Sequence, residues 1–382
     1  MKSESRVVIT TMGVVSPIGI GKEEFFRAIE RNQSGIKPIT LFESEDVKGI
    51  EAGEITEFKA EDYLGKRGLR NLDRSTRLLL SATKLAMEES GREFTEEELE
   101  ETGTIIGTGF GGVHSIGTFD RDSLENPNYV NPTFFPNTVI NAPASQISIK
   151  YGIKKFNMTV SNLFTASTDA IGIAYNRIKS GKDKVIFTGG VEELCEEIFF
   201  GYYYNNLLLD KKKDRNDGIV LGEGAVVFLL EELEHAKNRG ANILAEITGY
   251  GTCCDAGLEY NYNKEAVGAV QAMRMALESS NVKPEEVDLI SMSSNGKRAG
   301  EDMENRAISE VFGSDFAEER KEKVKKLTGE CIGASGAMQI AAAIYALQEK
   351  KEASRYSGIN TVIINSFGCN GMNSSLIVRK NS

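Results

Sequence analysis

The sequence is poor in several residue types, and each shortage argues against a class of protein. Only seven of the 382 residues are proline, and no proline- or serine-rich stretch separates one part of the chain from another. We therefore expect one compact unit rather than domains joined by a linker. Basic residues are also in deficit, with 45 Lys and Arg against 56 Asp and Glu and a formal net charge of −11. This balance argues against nucleic acid or an anionic membrane as a partner.

Cysteine and long apolar runs are scarce as well. The spacing of the five cysteines fits neither a metal site nor the disulfide framework of a secreted domain, so we expect no bound metal. The adjacent Cys253 and Cys254 are expected to be buried rather than bridged. The apolar stretches are short and interrupted by glycine or charge, which predicts neither a signal peptide nor a transmembrane helix. A reducing cytoplasm is the simplest compartment for such a chain.

Histidine is scarcer still, with only His114 and His235 in the whole chain. His114 follows a glycine turn, and His235 lies in the charged stretch 231–239, which we expect to be a solvent-facing helix. Imidazole is the side chain that most often acts as a general acid or base near neutral pH. Neither histidine stands where a catalytic base is expected, so chemistry based on paired histidines is not predicted.

The most informative stretch that is present runs from Phe156 to Val191. It reads as a strand, a sharp polar turn, and a helix of small residues with helical periodicity from Thr168 to Ile178. Strand-turn-helix units of this kind often present a nucleophile at the helix N-terminus, where unpaired N–H groups and the helix dipole lower the pKa of a thiol. The residue at this turn is Phe164. A phenyl ring cannot act as a nucleophile, so the unit lacks its chemistry.

Strand and helix signals alternate along the whole chain in two similar halves, which indicates an α/β fold with duplicated topology. We place the halves at 1–240 and 241–382 of one compact unit. The stretch 120–137 has no clear period and is expected to be a structured loop. The predicted helices are 22–30, 75–89, 142–151, 168–178, 264–279 and 338–348, and the predicted strands are 6–10, 104–109, 158–161, 185–188, 245–250, 287–292, 360–365 and 375–378.

The turn at Phe164 resembles the nucleophile elbow of the β-ketoacyl-acyl-carrier-protein synthases, condensing enzymes of the thiolase-like fold. Their pattern T-V-S-T-A-C-A-S-G corresponds to TVSNLFTAS at 159–167, with Phe164 where the family has cysteine. Further matches are RVVITTMGVVSPIG at 6–19, GIVLGEGA at 218–225 and NSFGCNGMN at 365–373. The resemblance covers essentially the whole chain. It implies a thiolase-like αβαβα layered fold with two pseudo-duplicated halves.

The resemblance also identifies what is missing. In the family a cysteine holds the acyl chain, and two histidines support decarboxylation and condensation. The first histidine belongs to an N-A-H-G-T-x-T motif and corresponds here to Asn295; the second belongs to K-x-x-T-G-H-x-x-G-A and corresponds to Glu330. Lys325 of that second motif is retained, and we expect it to pair with Glu330. The family's C-terminal G-F-G-G gate is altered by Cys369. No catalytic residue is therefore expected.

Among its relatives the chain resembles the chain-length-factor subunits of type II polyketide synthases. Those subunits lack the nucleophile, pair with an active ketosynthase, and set product length by shaping the tunnel at the dimer interface. The resemblance implies an interface that includes Phe110, 131–137 and 159–161. The side chains expected to line or plug the tunnel are Phe110, Phe134, Phe135 and Thr138; each is open to a second interpretation as an ordinary core or interface residue.

The partners implied by the resemblance are an active ketosynthase subunit and an acyl carrier protein whose phosphopantetheine arm reaches that subunit. No cofactor of the chain's own is expected. Lys179, Lys182 and Lys184 are a possible basic patch for the acidic carrier. Two alternatives remain open. One is an acyltransferase or decarboxylase with new chemistry at Cys331 and Glu330; the other is a homodimeric acyl-binding protein.

Overall fold

The computed structural model describes residues 4–42, 47–256, 261–351 and 354–381. Within these ranges the chain forms thirteen strands and thirteen α-helices. The strands are β1 (Val7–Ser16), β2 (Gly19–Ile20), β3 (Lys37–Pro38), β4 (Glu51–Ala52), β5 (Thr102–Gly107), β6 (Phe156–Val160), β7 (Val185–Glu192), β8 (Gly224–Glu232), β9 (Ala245–Cys254), β10 (Leu289–Ser291), β11 (Lys321–Glu322), β12 (Thr361–Phe367) and β13 (Met372–Arg379).

The helices alternate with these strands, as the sequence pattern predicts. They are α1 (Lys22–Glu30), α2 (Ala60–Leu64), α3 (Arg74–Glu89), α4 (Glu96–Glu100), α5 (Val113–Glu125), α6 (Ala142–Tyr151), α7 (Ala166–Lys179), α8 (Glu196–Tyr204), α9 (Leu233–Asn238), α10 (Val267–Ser280), α11 (Arg298–Phe312), α12 (Lys325–Thr328) and α13 (Ser335–Gln348). No helix in the described part of the chain is long and apolar enough to cross a membrane.

Eleven of the described strands form one sheet whose two halves repeat the same pattern. Along the sheet the order is β11-β10-β12-β13-β9-β1-β8-β7-β5-β6, with β2 paired to β1. In the first half β6, β5 and β7 are parallel and β8 and β1 antiparallel. In the second half β11, β10 and β12 are parallel and β13 and β9 antiparallel. The halves meet where β1 pairs with β9, which confirms the predicted duplication.

Helices cover both halves of the sheet and also separate them. Helices α7 and α13 contact strands of both halves, whereas α3 packs on the first half and α10 on the second. Nearly every residue of α13 is buried, and a helix that is apolar on all sides belongs inside a protein. The two halves of the sheet therefore form two separate layers, and the order of layers is helix, first half of the sheet, helix, second half of the sheet, helix, as the resemblance implied.

The outer helix α3 lies unusually close to β1 because of a glycine. A Cβ atom on Gly13 would lie 1.9 Å from the carbonyl oxygen of Ala82 in α3. Only glycine allows this approach, because any side chain would push the helix off the sheet.

Most predicted elements are present, and the differences have simple causes. The predicted loop at 120–137 is wrong in its first part, because α5 continues to Glu125. The helices that were not predicted are the short α2, α4 and α12 and the longer α5, α8 and α11. Helix α8 carries aromatic residues on nearly every side and so shows no amphipathic period. The adjacent cysteines were expected to be buried, yet Cys253 is half-buried and Cys254 is exposed. They lie at the end of β9, where successive side chains point to opposite faces.

Candidate functional site: the altered elbow and its surroundings

The elbow predicted from the sequence is present. Strand β6 leads through a turn into a short 3-10 segment, Leu163–Thr165, which continues directly into α7. Leu163 has a φ angle of 52°, a left-handed conformation that costs a non-glycine residue roughly 1–2 kcal/mol. The chain thus keeps the strained geometry that would present a nucleophile at the next position.

Phe164 fills that position with a buried ring. It is 2% exposed, and a ring carbon lies 3.3 Å from where a Cβ on Gly368 would be. The ring therefore packs against the backbone of the loop that carries Cys369. Burial of a phenyl group stabilises the fold by roughly 2 kcal/mol. The position keeps its place in the fold while supplying no reactive atom.

An apolar cluster surrounds Phe164. Its buried members include Ile198 and Phe199 of α8 and Ile332, and partly buried Phe110 packs against it. Phe110, predicted from the sequence to line a tunnel, therefore belongs to the same cluster as Phe164. The other predicted tunnel residues lie in a separate segment, described below.

Glu330, the residue in place of the second histidine, is fully occupied by hydrogen bonds. Its Oε1 accepts from the hydroxyl of Ser335 at 2.6 Å and from the backbone N–H of Ile332 at 3.0 Å. Its Oε2 accepts from Lys325 Nζ at 2.9 Å and from Asn295 Nδ2 at 3.1 Å. A carboxylate offers about four acceptor positions. None is left for a substrate proton, so this geometry does not provide a general base.

Lys325 completes the network. Its Nζ also donates to the carbonyl oxygen of Ser293 at 2.9 Å, and the side chains of Lys325 and Glu330 are 3% and 0% exposed. The expected ion pair is therefore present and buried, with Asn295 as its neutral third member. A charge pair in such a place is tolerated only when each group is satisfied by its neighbours.

The two thiols considered as alternative nucleophiles are poorly placed for that role. Cys331 is fully buried, with Sγ 3.4 Å from the carbonyl oxygen of Glu223, and loss of hydration raises the pKa of its thiol well above the ordinary value. Cys369 is half-buried, and burial raises its pKa as well. Because the thiolate is the reactive form, neither cysteine is activated.

Two buried glutamates hold the loops of the site, and the sequence analysis missed both. Glu192, at the end of β7, accepts backbone N–H bonds from Gly109 at 2.6 Å, Phe110 at 3.0 Å and Gly333 at 3.1 Å. Glu304 of α11 accepts from the N–H groups of Ser293 and Ser294 at 2.8 and 3.0 Å. Burial raises the pKa of each to about 7. The only feature of the sequence that could have predicted such a buried glutamate is an acidic residue at the end of an apolar strand, and this feature applies to Glu192 alone.

The loop that contains Asn295 is tied down on its outer side. The backbone N–H of Arg298 donates to Asp217 Oδ1 at 2.7 Å, and Lys297 Nζ donates to the Asp217 carbonyl at 3.3 Å. Tyr262 packs on the start of α11, with ring atoms 2.8 to 3.2 Å from where a Cβ on Gly300 would be, and Tyr202 packs against the cluster of Phe164. Burial raises the pKa of both tyrosines. Nothing in the sequence pattern had pointed to these tyrosines.

Neither histidine takes part in the site. His114 Nδ1 lies 2.9 Å from Glu197 Oε2, and His235 Nδ1 lies 2.9 Å from Glu231 Oε1. Both rings are engaged with carboxylates at the surface or part-way into it. Among the residues that the structure describes, no group of three or more His, Cys, Asp or Glu side chains is arranged to hold a metal ion.

The remaining predicted residues lie on what we call the α5 face, formed by α5 and the 3-10 segment Pro132–Thr138. Phe134 and Thr138 are half-buried there, whereas Phe135 is 59% exposed and packs on Phe119 with ring centroids 5.5 Å apart. The structure therefore places Phe134, Phe135 and Thr138 together, and Phe110 in the cluster of Phe164. Strand β6, which carries 159–160, is the edge strand at this end of the sheet.

The lysines considered as a basic patch do not form a surface of one sign. Lys179 pairs with Glu4 at 3.1 Å. Lys182 and Lys184 line a groove that Glu97 and Glu101 also line. These lysines are thus mixed with carboxylates, and they give no concentrated positive field for an acidic partner.

Comparison with known proteins agrees with this fold. Residues 4–236 match the N-terminal domain of β-ketoacyl synthases, and residues 244–355 match their C-terminal domain. The 3-oxoacyl-[acyl-carrier-protein] synthase 2 of Coxiella burnetii is 30% identical over 98% of both chains, and that of Vibrio harveyi is 29% identical over 99% of both. The solved structure of the ishigamide ketosynthase/chain length factor superposes with a TM-score of 0.89 at 28% identity, covering 99% of this chain and 100% of that one. The chain therefore belongs to the β-ketoacyl synthase family, and its fold is that of the thiolase-like ketosynthases.

Proposed function

We propose that this chain is a non-catalytic, chain-length-factor-like subunit of a heterodimeric ketosynthase and that it shapes the acyl tunnel of an active partner. The observation that carries the proposal is the buried ring of Phe164 at the elbow. Condensation needs a thiolate to hold the acyl chain, and a phenyl ring cannot form a thioester. We also propose that 1–240 and 241–382 are the two ketosynthase-like halves of one unit.

The contacts of Glu330 and Cys331 argue against a new catalytic reaction near the altered elbow. A base at Glu330 would need a free acceptor atom, yet both of its oxygens already accept two hydrogen bonds each. A nucleophile at Cys331 would need access and a stabilised thiolate, yet the residue is fully buried with a raised pKa. These contacts disfavour an acyltransferase or decarboxylase based on Cys331 and Glu330.

Exposed apolar side chains near the edge of the sheet support the proposal that a partner of the same fold binds there. Four apolar side chains, Phe135, Val139, Ile140 and Met158, are between 37% and 59% exposed on neighbouring elements. Met158 is on β6, the edge strand, and the other three lie in or directly after the 3-10 segment Pro132–Thr138, which leads into α6, a helix that contacts β6. Clustered exposed apolar groups and an uncovered edge are typical of an interface. The occupant we propose is a ketosynthase that retains the elbow cysteine, in keeping with the similarity of this fold to the ishigamide ketosynthase/chain length factor.

In this assembly the four predicted tunnel residues have two different roles. Phe110 joins the cluster of Phe164, so it closes the route toward the altered elbow. Phe134, Phe135 and Thr138 lie on the α5 face and are presented to the partner's growing chain. A bulky side chain at such a place limits product length because overpacking costs more than one added two-carbon unit gains by burial. The phosphopantetheine arm of the carrier protein enters the partner, and this chain binds no cofactor.

Intact mass spectrometry tests the absence of catalysis. The purified chain is incubated alone with acyl carrier protein that carries acyl or malonyl groups. We expect neither an acyl adduct nor loss of carbon dioxide from the malonyl group. An acyl adduct that maps to Cys331 or Cys369 would overturn the proposal and make the chain a transferase with altered chemistry.

Co-expression tests the partner. Each ketosynthase of the source organism that retains the elbow cysteine is co-expressed with this chain, and we expect one to form a 1:1 complex that condenses. Phe135→Glu should abolish that complex, whereas Val267→Glu, at a residue 61% exposed on α10, should leave it intact. A stable homodimer with no such complex would instead support the homodimeric acyl-binding alternative.

A further inference from the structure

Two carboxylates meet at the N-terminal end of α3, outside the hydrogen-bond network of Glu330. Asp73 caps the helix, with Oδ1 accepting from the N–H of Thr76 at 2.7 Å and from the hydroxyl of Ser75 at 3.0 Å. Glu193, which directly follows β7, is 2% exposed and accepts from the N–H of Ser75 through Oε2 at 3.0 Å. Both side chains therefore use one oxygen to satisfy the same helix end.

Each carboxylate has a second oxygen without a donor. Asp73 Oδ2 and Glu193 Oε1 are buried, and neither has a hydrogen-bond partner within the described ranges of the chain. A buried acceptor without a donor is costly, and two carboxylates in one water-poor place cannot both ionise without strong repulsion. A single proton held between the two oxygens would remove one charge and supply the missing donor.

In the described part of the chain, no positively charged group near the pair is available to neutralise the two carboxylates. Arg74 directly follows Asp73 on α3, but its guanidinium is bound by Glu223 at 2.6 Å. On the segment of Glu193 the neighbours are Glu192 and Cys195, which supply no positive charge. On α5 the ring of His114 turns to Glu197. Burial, and then the charge of Asp73, raise the pKa of Glu193 to about 8.

The pair also lies beneath the α5 face. Asp73 Oδ2 is 2.4 Å from where a Cβ on Gly112, the residue before α5, would be. The neighbouring 3-10 segment is tied to the approach to α3 by Asn137 Nδ2, which donates to the carbonyl of Asn71 at 2.6 Å. A change of charge at the pair therefore acts on the start of α5 and on the segment beside it.

We propose that Asp73 and Glu193 share one proton and that loss of this proton in alkaline solution loosens the α5 face from the end of α3. In the protonated form one carboxyl donates to the other and the loop at Gly112 packs on a singly charged pair. In the deprotonated form two buried charges repel each other, and water must enter to separate them. Weaker partner binding in alkali is a consequence that rests on the proposed function, whereas the shared proton does not.

Infrared spectroscopy of the purified chain tests the proton directly, because a protonated carboxyl absorbs at a higher frequency than a carboxylate. Between about pH 7, where Glu192 and Glu304 release their protons, and pH 8 we expect the wild type to show a carboxyl band that is missing from Glu193→Gln and from Asp73→Asn. In each variant the new amide N–H replaces the shared proton, and Asn remains a good N-cap. If one of the two variants fails to fold, the other still provides the test. An unchanged carboxyl band in both would overturn the proposal.

Hydrogen–deuterium exchange tests the structural consequence. When pH is raised through 8, residues 113–138 should lose protection in the wild type and keep it in Glu193→Gln, after correction for intrinsic exchange rates. The matched control is Glu197→Gln, which removes a contact of α5 with His114 and Arg121 but holds no shared proton; it should behave as the wild type does. Equal losses in wild type and Glu193→Gln would refute the coupling. Neither readout needs a partner, so both can succeed even if the proposed function fails.

Discussion

Glu330→Gln should destabilise the protein by about 3–5 kcal/mol, the usual cost of breaking a buried ion pair by removing one partner. The amide oxygen of glutamine can still accept from Ser335 and from the N–H of Ile332, which lie 2.6 and 3.0 Å from Oε1 in the wild type. Its amide nitrogen, however, would face Lys325 Nζ and Asn295 Nδ2. Three donors would then meet without an acceptor.

The magnitude follows from burial. The side chains of Lys325 and Glu330 are 3% and 0% exposed, so water cannot replace the lost carboxylate without opening the site. By contrast, Lys84 and Glu88 form an i,i+4 pair 3.1 Å apart whose side chains are 41% and 56% exposed. Glu88→Gln should therefore change stability by no more than about 0.5 kcal/mol, which makes it the matched control.

The assay is urea denaturation followed by circular dichroism, with Lys325→Met and the double variant completing a mutant cycle. Lys325→Met alone leaves Glu330 as a buried charge and should also be costly. The double variant should cost less than the sum of the single variants by about 1–3 kcal/mol, because the second change removes the charge that the first leaves unpaired. A Glu330→Gln variant within about 1 kcal/mol of the wild type, or strictly additive effects, would refute this account.

Three further predictions concern burial and charge. Phe164→Ala should cost about 3–5 kcal/mol in the free energy of unfolding, whereas Phe135→Ala at a 59% exposed residue should cost far less; equal costs in denaturation would contradict the packing described for the elbow. A thiol reagent should modify exposed Cys254 quickly at neutral pH and Cys331 only after unfolding, and rapid labelling of native Cys331 would contradict its burial. The free energy of unfolding should fall as pH rises from about 4.5 through 8. In this range carboxyls with a raised pKa still hold protons in the folded state, whereas the unfolded chain has already released them. Denaturation measured at a series of pH values would show a flat or rising free energy of unfolding if this is wrong. The carboxyls concerned are Glu192, Glu193 and Glu304.

The motif positions were readable from the sequence because each depends on local order. Short motifs of glycine, small residues and β-branched residues contain Phe164, Asn295 and Glu330. Such motifs can be identified in a sequence without knowing which distant residues they contact. The pairing of Lys325 with Glu330 was also predictable, since five residues separate them in one motif. The two donors to its Oε1, the hydroxyl of Ser335 and the N–H of Ile332, were not predicted, because they depend on how the chain turns from Glu330 into α13.

Helix α11 was missed although its buried residues recur at helical spacing, whereas α8 and α5 have less regular patterns. Helix α8 carries aromatic residues on nearly all sides, so no polar face marks it. Helix α5 was taken for loop in its second half, since Asp120 to Glu125 is polar and lies largely on the surface. In both cases tertiary packing, rather than amphipathic spacing, determines where the helix ends.

The sequence by itself determined the family and the alternation of strands and helices in two halves, and it predicted that Phe164, Asn295 and Glu330 stand in place of the family's cysteine and two histidines. Only the tertiary structure decided which groups hold the site together. Glu192 reaches three N–H groups on two loops, and Glu193 meets Asp73 across 120 positions of the chain. A buried carboxylate is defined by the donors around it, and those donors come from strands, loops and helix ends that only the folded sheet brings together.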